Sequence, residues 1–156
     1  MKRAATCLWF DDRAEPAVDF YAGIFDELTV LEKVRTPDGT GAGPVLLVIF
    51  ELAGQRFTAL NGGPVFTLSE AASIEVHTDD QAETDRIWDA FLAAGAVEQQ
   101  CGWLKDQFGL SWQIVPDRLN DLLADPDPAR AKAGMDAMLK QTRIVLADIE
   151  AAVAAA

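Results

Sequence analysis

The sequence predicts an α+β protein in which a βαβββ unit is used twice and a helical extension follows. Three observations carry this. A D-x-A-E pattern occurs in each half, as Asp12-Arg13-Ala14-Glu15 and as Asp80-Gln81-Ala82-Glu83. In each half it stands between a strand-like apolar run and a stripe of helically spaced apolar residues, where a helix start belongs. Short β-branched and aromatic runs separated by Gly, Asn and Asp turns then follow each helix. Beyond Pro116 the chain changes to alanine, leucine and acidic residues without a strand pattern. The expected units are residues 1–64, 65–116 and 117–156, together forming one compact domain.

Taken in order, Ala4 to Phe10 reads as a strand and Asp12 to Glu15 as a capping box, with Pro16 tolerated in the first helical turn. Ala17, Phe20, Tyr21 and Ile24 give that helix one apolar face. Leu28 to Arg35 and Val45 to Leu52 read as strands, and Ala53-Gly54-Gln55 as a short hairpin turn into Arg56 to Leu60. Asn61-Gly62-Gly63-Pro64 ends the unit. The order then restarts with a strand at Ala72 to Thr78 and a helix whose stripe is Ile87, Trp88, Phe91 and Leu92, stopped by Gly95. Val97 to Cys101, Trp103 to Lys105 and Leu110 to Val115 supply the remaining strands, the last two joined through Asp106-Gln107-Phe108-Gly109. In the tail, Ala131, Met135, Met138 and Leu139, then Ile144, Leu146, Ile149 and Val153, form apolar stripes suited to packing on the sheet or on a second subunit.

At 156 residues, with half of them hydrophobic, the chain can build a real core. No apolar run reaches the ~18 to 20 residues of a membrane helix, and the acidic residues come too early for a signal peptide, so a soluble, cytoplasmic protein is expected. Thirteen basic against 25 acidic residues give a net charge of −12, a field that repels phosphate backbones and argues against nucleic acid as a partner. Cys7 and Cys101 are too few for a disulfide framework or a zinc site.

The cluster Asp38-Gly39-Thr40-Gly41-Ala42-Gly43 contains G-x-G-x-G, which invites a nucleotide or S-adenosylmethionine reading. A cradle of that kind needs a helix after it. Here Pro44 and the run Val45 to Phe50 follow, so a hairpin loop is expected instead. His77 is the only histidine. Strand alternation puts Ile74 and Val76 toward the helices and Ser73, Glu75 and His77 on the other face, where Glu75 and His77 can form a proton-transfer pair. The plainer alternative is a hydrogen-bonded pair at a strand end.

The segments CLWFDDRAEPAVDFYAGIF, GQRFTALNGGP and CGWLKDQFGLSWQIVPDRL, with DPDPARAKAGMDAML behind them, closely resemble the PhnB-like branch of the vicinal oxygen chelate superfamily, which includes glyoxalase I and bleomycin-resistance proteins. The resemblance implies the glyoxalase/bleomycin-resistance fold: two βαβββ units forming a curled mixed sheet around a cleft, commonly in a homodimer. It also implies metal-binding His, Glu or Gln side chains on the cleft strands. The corresponding slots here fall near Ala5, near Thr58, near Ala71 or Ser73, and on Gln113. Such a set should not hold zinc, nickel or iron, so no metal and no other cofactor is expected. Trp9, Trp103 and Gln113 would wall the cleft, with Ser111 and Val115 also facing it and Asn61 at its mouth; Lys105 could attract an anion. Trp112 is expected in the core.

The resulting expectation is a metal-independent small-molecule-binding protein, with Trp9, Thr58, Asn61, Glu75, His77, Trp103, Ser111 and Gln113 as its candidate contacts. One alternative is an enzyme acting on a small organic, quinone-like substrate through Glu75 and His77. Another is the methyl transfer in the name often given to this branch, 3-demethylubiquinone-9 3-methyltransferase. A third makes the chain an interaction module whose helical tail fixes a dimer.

Overall fold

In the computed structural model, which describes residues 4–156, two four-stranded mixed sheets each carry one helix directly after their first strand. The first contains β1 (Thr6–Phe10), α1 (Ala14–Ala22), β2 (Leu28–Arg35), β3 (Val45–Leu52) and β4 (Gln55–Asn61), with strand order β1-β4-β3-β2. β1 pairs parallel with β4, and the other pairs are antiparallel. Ala53 and Gly54 link β3 to β4 at φ 48° and 81°. Both values are left-handed, as a two-residue hairpin matched to strand twist requires. Val48, Phe50 and Leu52 alternate inward along β3 and are buried with Leu8, Phe10, Phe57 and Ala59 and with Ala14, Ala17, Val18 and Tyr21 of α1. Phe50 and Phe57 stack with ring centres 5.1 Å apart.

The start of α1 departs from the expected capping box. Its N-cap is Arg13, which makes no side-chain capping bond. The helix is closed instead by Asn61, which register places opposite Phe10. The Ala14 N–H donates to Asn61 Oδ1 at 2.7 Å, and Asn61 Nδ2 donates to the Val45 carbonyl at 3.0 Å. A cap supplied by a neighbouring strand does the work that the local Asp12 pattern suggested.

The glycine cluster is a hairpin loop between β2 and β3. Gly39 and Gly41 both sit at φ 78°. Asp38 Oδ1 accepts the backbone N–H groups of Thr40 and Gly41, and the Thr40 hydroxyl donates to Asp38 Oδ2 at 2.8 Å. That hydroxyl, followed by the backbone donors, holds the Asp38 carboxyl below its ordinary pKa.

The second sheet contains β5 (Ser73–Thr78), β6 (Val97–Glu98), β7 (Trp103–Lys105) and β8 (Ser111–Pro116) in the order β5-β8-β7-β6, with α2 (Gln81–Ala93) after β5. Here the expected cap forms, with its return bond shifted one residue ahead of the N-cap Asp80. Asp80 Oδ1 accepts the Glu83 N–H at 2.9 Å, and Glu83 Oε2 accepts the Asp79 N–H at 2.8 Å. Ile87, Trp88 and Phe91 of α2 are buried with Leu104, Trp112 and Ile114. The Phe91 and Trp112 rings lie 5.2 Å apart. β6 stops at Glu98, short of the expected Cys101, because Cys101 and Gly102 turn through φ 59° and 81°. Their N–H groups donate to the carbonyls of Gln141 and Thr142 rather than to a strand.

The tail forms α3 (Arg118–Leu123), α4 (Pro128–Met138) and α5 (Leu146–Ala154). It packs on the second unit: Leu119, Leu122, Ile144, Ile149 and Val153 make one buried cluster with Val115 of β8. Gln81 at the start of α2 pins the segment before α5, giving Nε2 to the Ile144 carbonyl and taking the Leu146 N–H on Oε1, both at 2.9 Å. The chain accordingly divides into compact units at Met1–Leu68 and Ser69–Ala156. No helix among the described residues is long and apolar enough to cross a membrane.

Candidate functional site

Alternation along β5 and β8 sets Ile74, Val76, Trp112 and Ile114 toward the core, leaving Ser73, Glu75, His77, Ser111 and Gln113 for the opposite face. Parallel register pairs Ser73 with Ser111, Glu75 with Gln113 and His77 with Val115. Antiparallel register adds Lys105 beside Ser111 and Trp103 beside Gln113. The face therefore has one row of Ser73, Ser111 and Lys105 and a second of Glu75, Gln113 and Trp103. Five residues that the sequence marks as candidate contacts, Glu75, His77, Trp103, Ser111 and Gln113, share this one sheet surface.

Their polar atoms are not equally engaged. Gln113 Nε2 donates to the Ser73 hydroxyl at 2.9 Å, which leaves the other end of its amide facing away from that bond. Ser111 is 1% exposed, yet its Oγ has no hydrogen-bond partner. A buried hydroxyl left unsatisfied costs roughly 1–3 kcal/mol, so its persistence on this face asks for a reason. Trp103 is half-buried. Lys105 Nζ lies 3.0 Å from Glu70 Oε1, and Glu70 has a lowered pKa, first through its own backbone N–H and then through Lys105.

His77 stands between two carboxylates, with Nε2 3.0 Å from Glu75 Oε1 and Nδ1 2.9 Å from Asp117 Oδ1. A neutral imidazole has one N–H and can donate to only one of them; the doubly protonated ring donates to both. Sequence reasoning found Glu75 but missed Asp117, which reaches the ring because its N–H is tied to the Thr78 carbonyl at the end of the same strand. It also missed Asp106, a buried residue whose Oδ1 takes the N–H groups of Phe108 and Leu110 and whose Oδ2 takes the Trp112 indole at 2.9 Å. The signal was present: Asp followed two residues later by a turn N–H, with Gly109 at φ 90°, is Asx-turn chemistry.

The remaining candidates lie in the first unit. The Trp9 indole donates to the Gly63 carbonyl at 2.8 Å and meets Phe66 edge-on at 4.9 Å. Gly62 permits this, since a Cβ there would fall 2.2 Å from the Trp9 ring. Trp9 thus fastens the loop after β4. Thr58 sits in register between Cys7 and Ile49. Both ends of the Asn61 amide are spent on α1 and Val45.

The resemblance to metal-dependent proteins requires a donor set, and the slots here do not supply one. Ala5 has no ligating atom, while Thr58, Ser73 and Gln113 offer two hydroxyls and an amide. Divalent transition metals want imidazole, thiolate or carboxylate. Among the described residues no group of three or more His, Cys, Asp or Glu side chains is placed to hold an ion. A surface depression of about 370 Å³ at the start of α2 is lined by Asp79, Asp80, Ala82, Glu83 and Arg86. It is lined by the capping residues of α2 and shares none of the candidate contacts.

Comparison with known proteins agrees with the fold. The chain matches the family described as 3-demethylubiquinone-9 3-methyltransferase over residues 2–115. It is similar to the PhnB protein of Bacillus cereus, whose description carries the same methyltransferase name, at 26% identity over 74% of this chain and 99% of that one, with a TM-score of 0.64. Protein PA1353 of Pseudomonas aeruginosa is 19% identical over 75% of this chain and 100% of that one, TM-score 0.59. The fosfomycin resistance protein FosX of Listeria monocytogenes is 15% identical over 77% and 94%, TM-score 0.57. The last two likenesses are of fold alone. No curated protein matches the sequence. With a mixed βαβββ unit used twice and a family match across most of its length, this chain belongs to the 3-demethylubiquinone-9 3-methyltransferase family.

Proposed function

We propose that the protein binds a small organic molecule on the face of its second sheet that carries Ser111, Gln113 and Trp103, and does so without a metal ion. The observation that carries this is Ser111: a buried hydroxyl with no protein partner, in the row next to the Gln113 amide and the flat, half-buried Trp103. Flat apolar surface beside a few convergent polar atoms is the usual character of a small-molecule site. A thermal-shift screen with small aromatic and carbonyl compounds tests the reading. Saturable stabilisation that Trp103→Ala abolishes is expected; a screen without one stabilising compound overturns it.

A homodimer and a cytoplasmic location go with this reading. The exposed apolar side chains Val30 and Leu31 on edge strand β2, and Met135 and Leu139 at α4, are surfaces a second copy can bury. The cysteines Cys7 and Cys101 are free thiols, as suits a reducing compartment. Sedimentation at micromolar concentration decides the first, and fractionation of cells the second.

One observation favours a second reading as an enzyme. Glu75 is held by His77, itself held by Asp117, which is the arrangement of an oriented carboxylate base. His77→Gln then removes turnover of a bound substrate with little change in melting temperature; an equally active variant dismisses it. Methyl transfer, which the family description names, finds no donor site in these residues. The glycine cluster opens into β3 rather than a helix, and neither sheet is the doubly wound parallel kind. Calorimetry with S-adenosylmethionine separates that reading from the others.

A further inference from the structure

We infer that the ligand of the second sheet's Ser111–Gln113 face is an uncharged ring compound bearing one hydrogen-bond donor and one acceptor, as a primary carboxamide, a lactam or a phenol does. This rests on the binding reading above and names its ligand class. The charges around the face are already committed to one another. Lys105 is paired with Glu70 at 3.0 Å, Glu75 with His77 at 3.0 Å, and His77 again with Asp117 at 2.9 Å. A charged ligand would have to displace one of these pairs, and an anion would also meet the net charge of −12.

The atoms left to a ligand are neutral. Ser111 Oγ is buried and unpartnered, and the Gln113 amide has one end on Ser73 and the other available. An amide end has a fixed polarity, whereas a hydroxyl rotates to give or to take a hydrogen bond. Together they are satisfied by one donor and one acceptor on the same small group. Register sets Trp103 beside Gln113, so the group that meets the amide carries a ring against the indole. A site whose polar atoms are otherwise unpaired rejects a ligand lacking the matching groups much more strongly than an apolar wall rejects a misfit methylene.

The test compares three probes with the same ring: benzamide, benzoate and benzylamine. Each is titrated at millimolar concentration into the full chain, and amide and indole N–H shifts are followed by NMR. Benzamide is expected to shift the Trp103 indole and Gln113 side-chain signals saturably, with benzoate and benzylamine at least about tenfold weaker. Ser111→Ala and Gln113→Leu, each confirmed folded by its spectrum, are expected to weaken benzamide by about tenfold, the loss of one hydrogen bond. Benzoate or benzylamine binding this face as well as benzamide overturns the ligand class while leaving the binding reading standing. Benzamide binding unchanged in both variants also overturns it. If none of the three binds, the class is overturned; if the broader thermal-shift screen fails too, the binding reading falls with it.

Discussion

The indole nitrogen of Trp112 donates to Asp106 Oδ2 at 2.9 Å, inside the protein. Its neighbour on the same strand, Gln113, is on the opposite face and reaches Ser73 across the sheet. Two adjacent residues thus do different jobs. Trp112 and Asp106 tie the β7–β8 turn to the buried core, and that turn leads directly into the strand that carries Ser111 and Gln113. Asp106→Ala removes the acceptor for three donors at once, two of them backbone. The expected cost is roughly 3 kcal/mol in urea unfolding, with Asp106→Asn costing less. A variant as stable as the parent would mean that the turn is held by something else.

Ser111→Ala should separate stability from function. Removing a buried hydroxyl that lacks a partner relieves a desolvation cost, so the free protein is expected to be unchanged or up to about 1 kcal/mol more stable. Ligand-induced stabilisation should shrink in the same variant. A clear loss of stability without ligand would show that the hydroxyl serves the fold.

Asn61 and Asp12 make a paired prediction. Asn61→Ala strips α1 of its cap and frees the Val45 carbonyl, at a cost of about 1–2 kcal/mol. Asp12→Ala should change the unfolding midpoint little, since the α1 N-cap is Arg13. The reverse order of effects would restore the local capping box.

Ala53 occupies a left-handed position, φ 48°, in the β3–β4 hairpin. Asparagine tolerates that conformation better than alanine, so Ala53→Asn is expected to raise stability by up to about 1 kcal/mol. Thermal unfolding reads this directly; a lower midpoint would contradict the turn geometry.

The Lys33 ammonium, 2.8 Å from Glu15, lowers the Glu15 carboxyl below 4.5 by its hydrogen bond and is itself raised above 10.5 by the same bond. For the lowered group, the stabilisation is present above pH 4.5 and is lost as pH falls through the folded value. For the raised group it is full below 10.5 and is lost as pH climbs through the folded value. Both side chains are a third exposed, so the effect is small and screened by salt. Lys33→Met should lower the urea midpoint slightly near neutral pH and make no difference well below pH 4.5. An undiminished difference in acid would point to packing of the lysine stem instead.

Much of the fold was legible because period and punctuation agreed. Val45–Leu52 is apolar and β-branched between a proline and an Ala-Gly turn, and Trp103–Lys105 alternates between two glycine turns, so both strands fall where expected. What misled was long-range partnership. Nothing local says that Asn61 outcompetes Asp12 for the start of α1, or that Cys101 leaves its strand to bond with Gln141. That Ser73, Glu75 and His77 share one side of β5 followed from alternation; that Ser111 and Gln113 of β8 lie beside them rested on the family resemblance and on a strand pairing that alternation does not give. Which of their atoms are spent followed from neither, because Asp117 and Glu70 come to them from outside the strands.

The claim beneath the functional reading is that this face grips an organic molecule with neutral groups and no cation. Calorimetric titration of Zn²⁺ and Mn²⁺ into chelator-treated protein tests it most directly. No saturable heat assignable to Ser73 and Gln113 is expected. Binding of either ion at micromolar affinity that Gln113→Leu abolishes would contradict it.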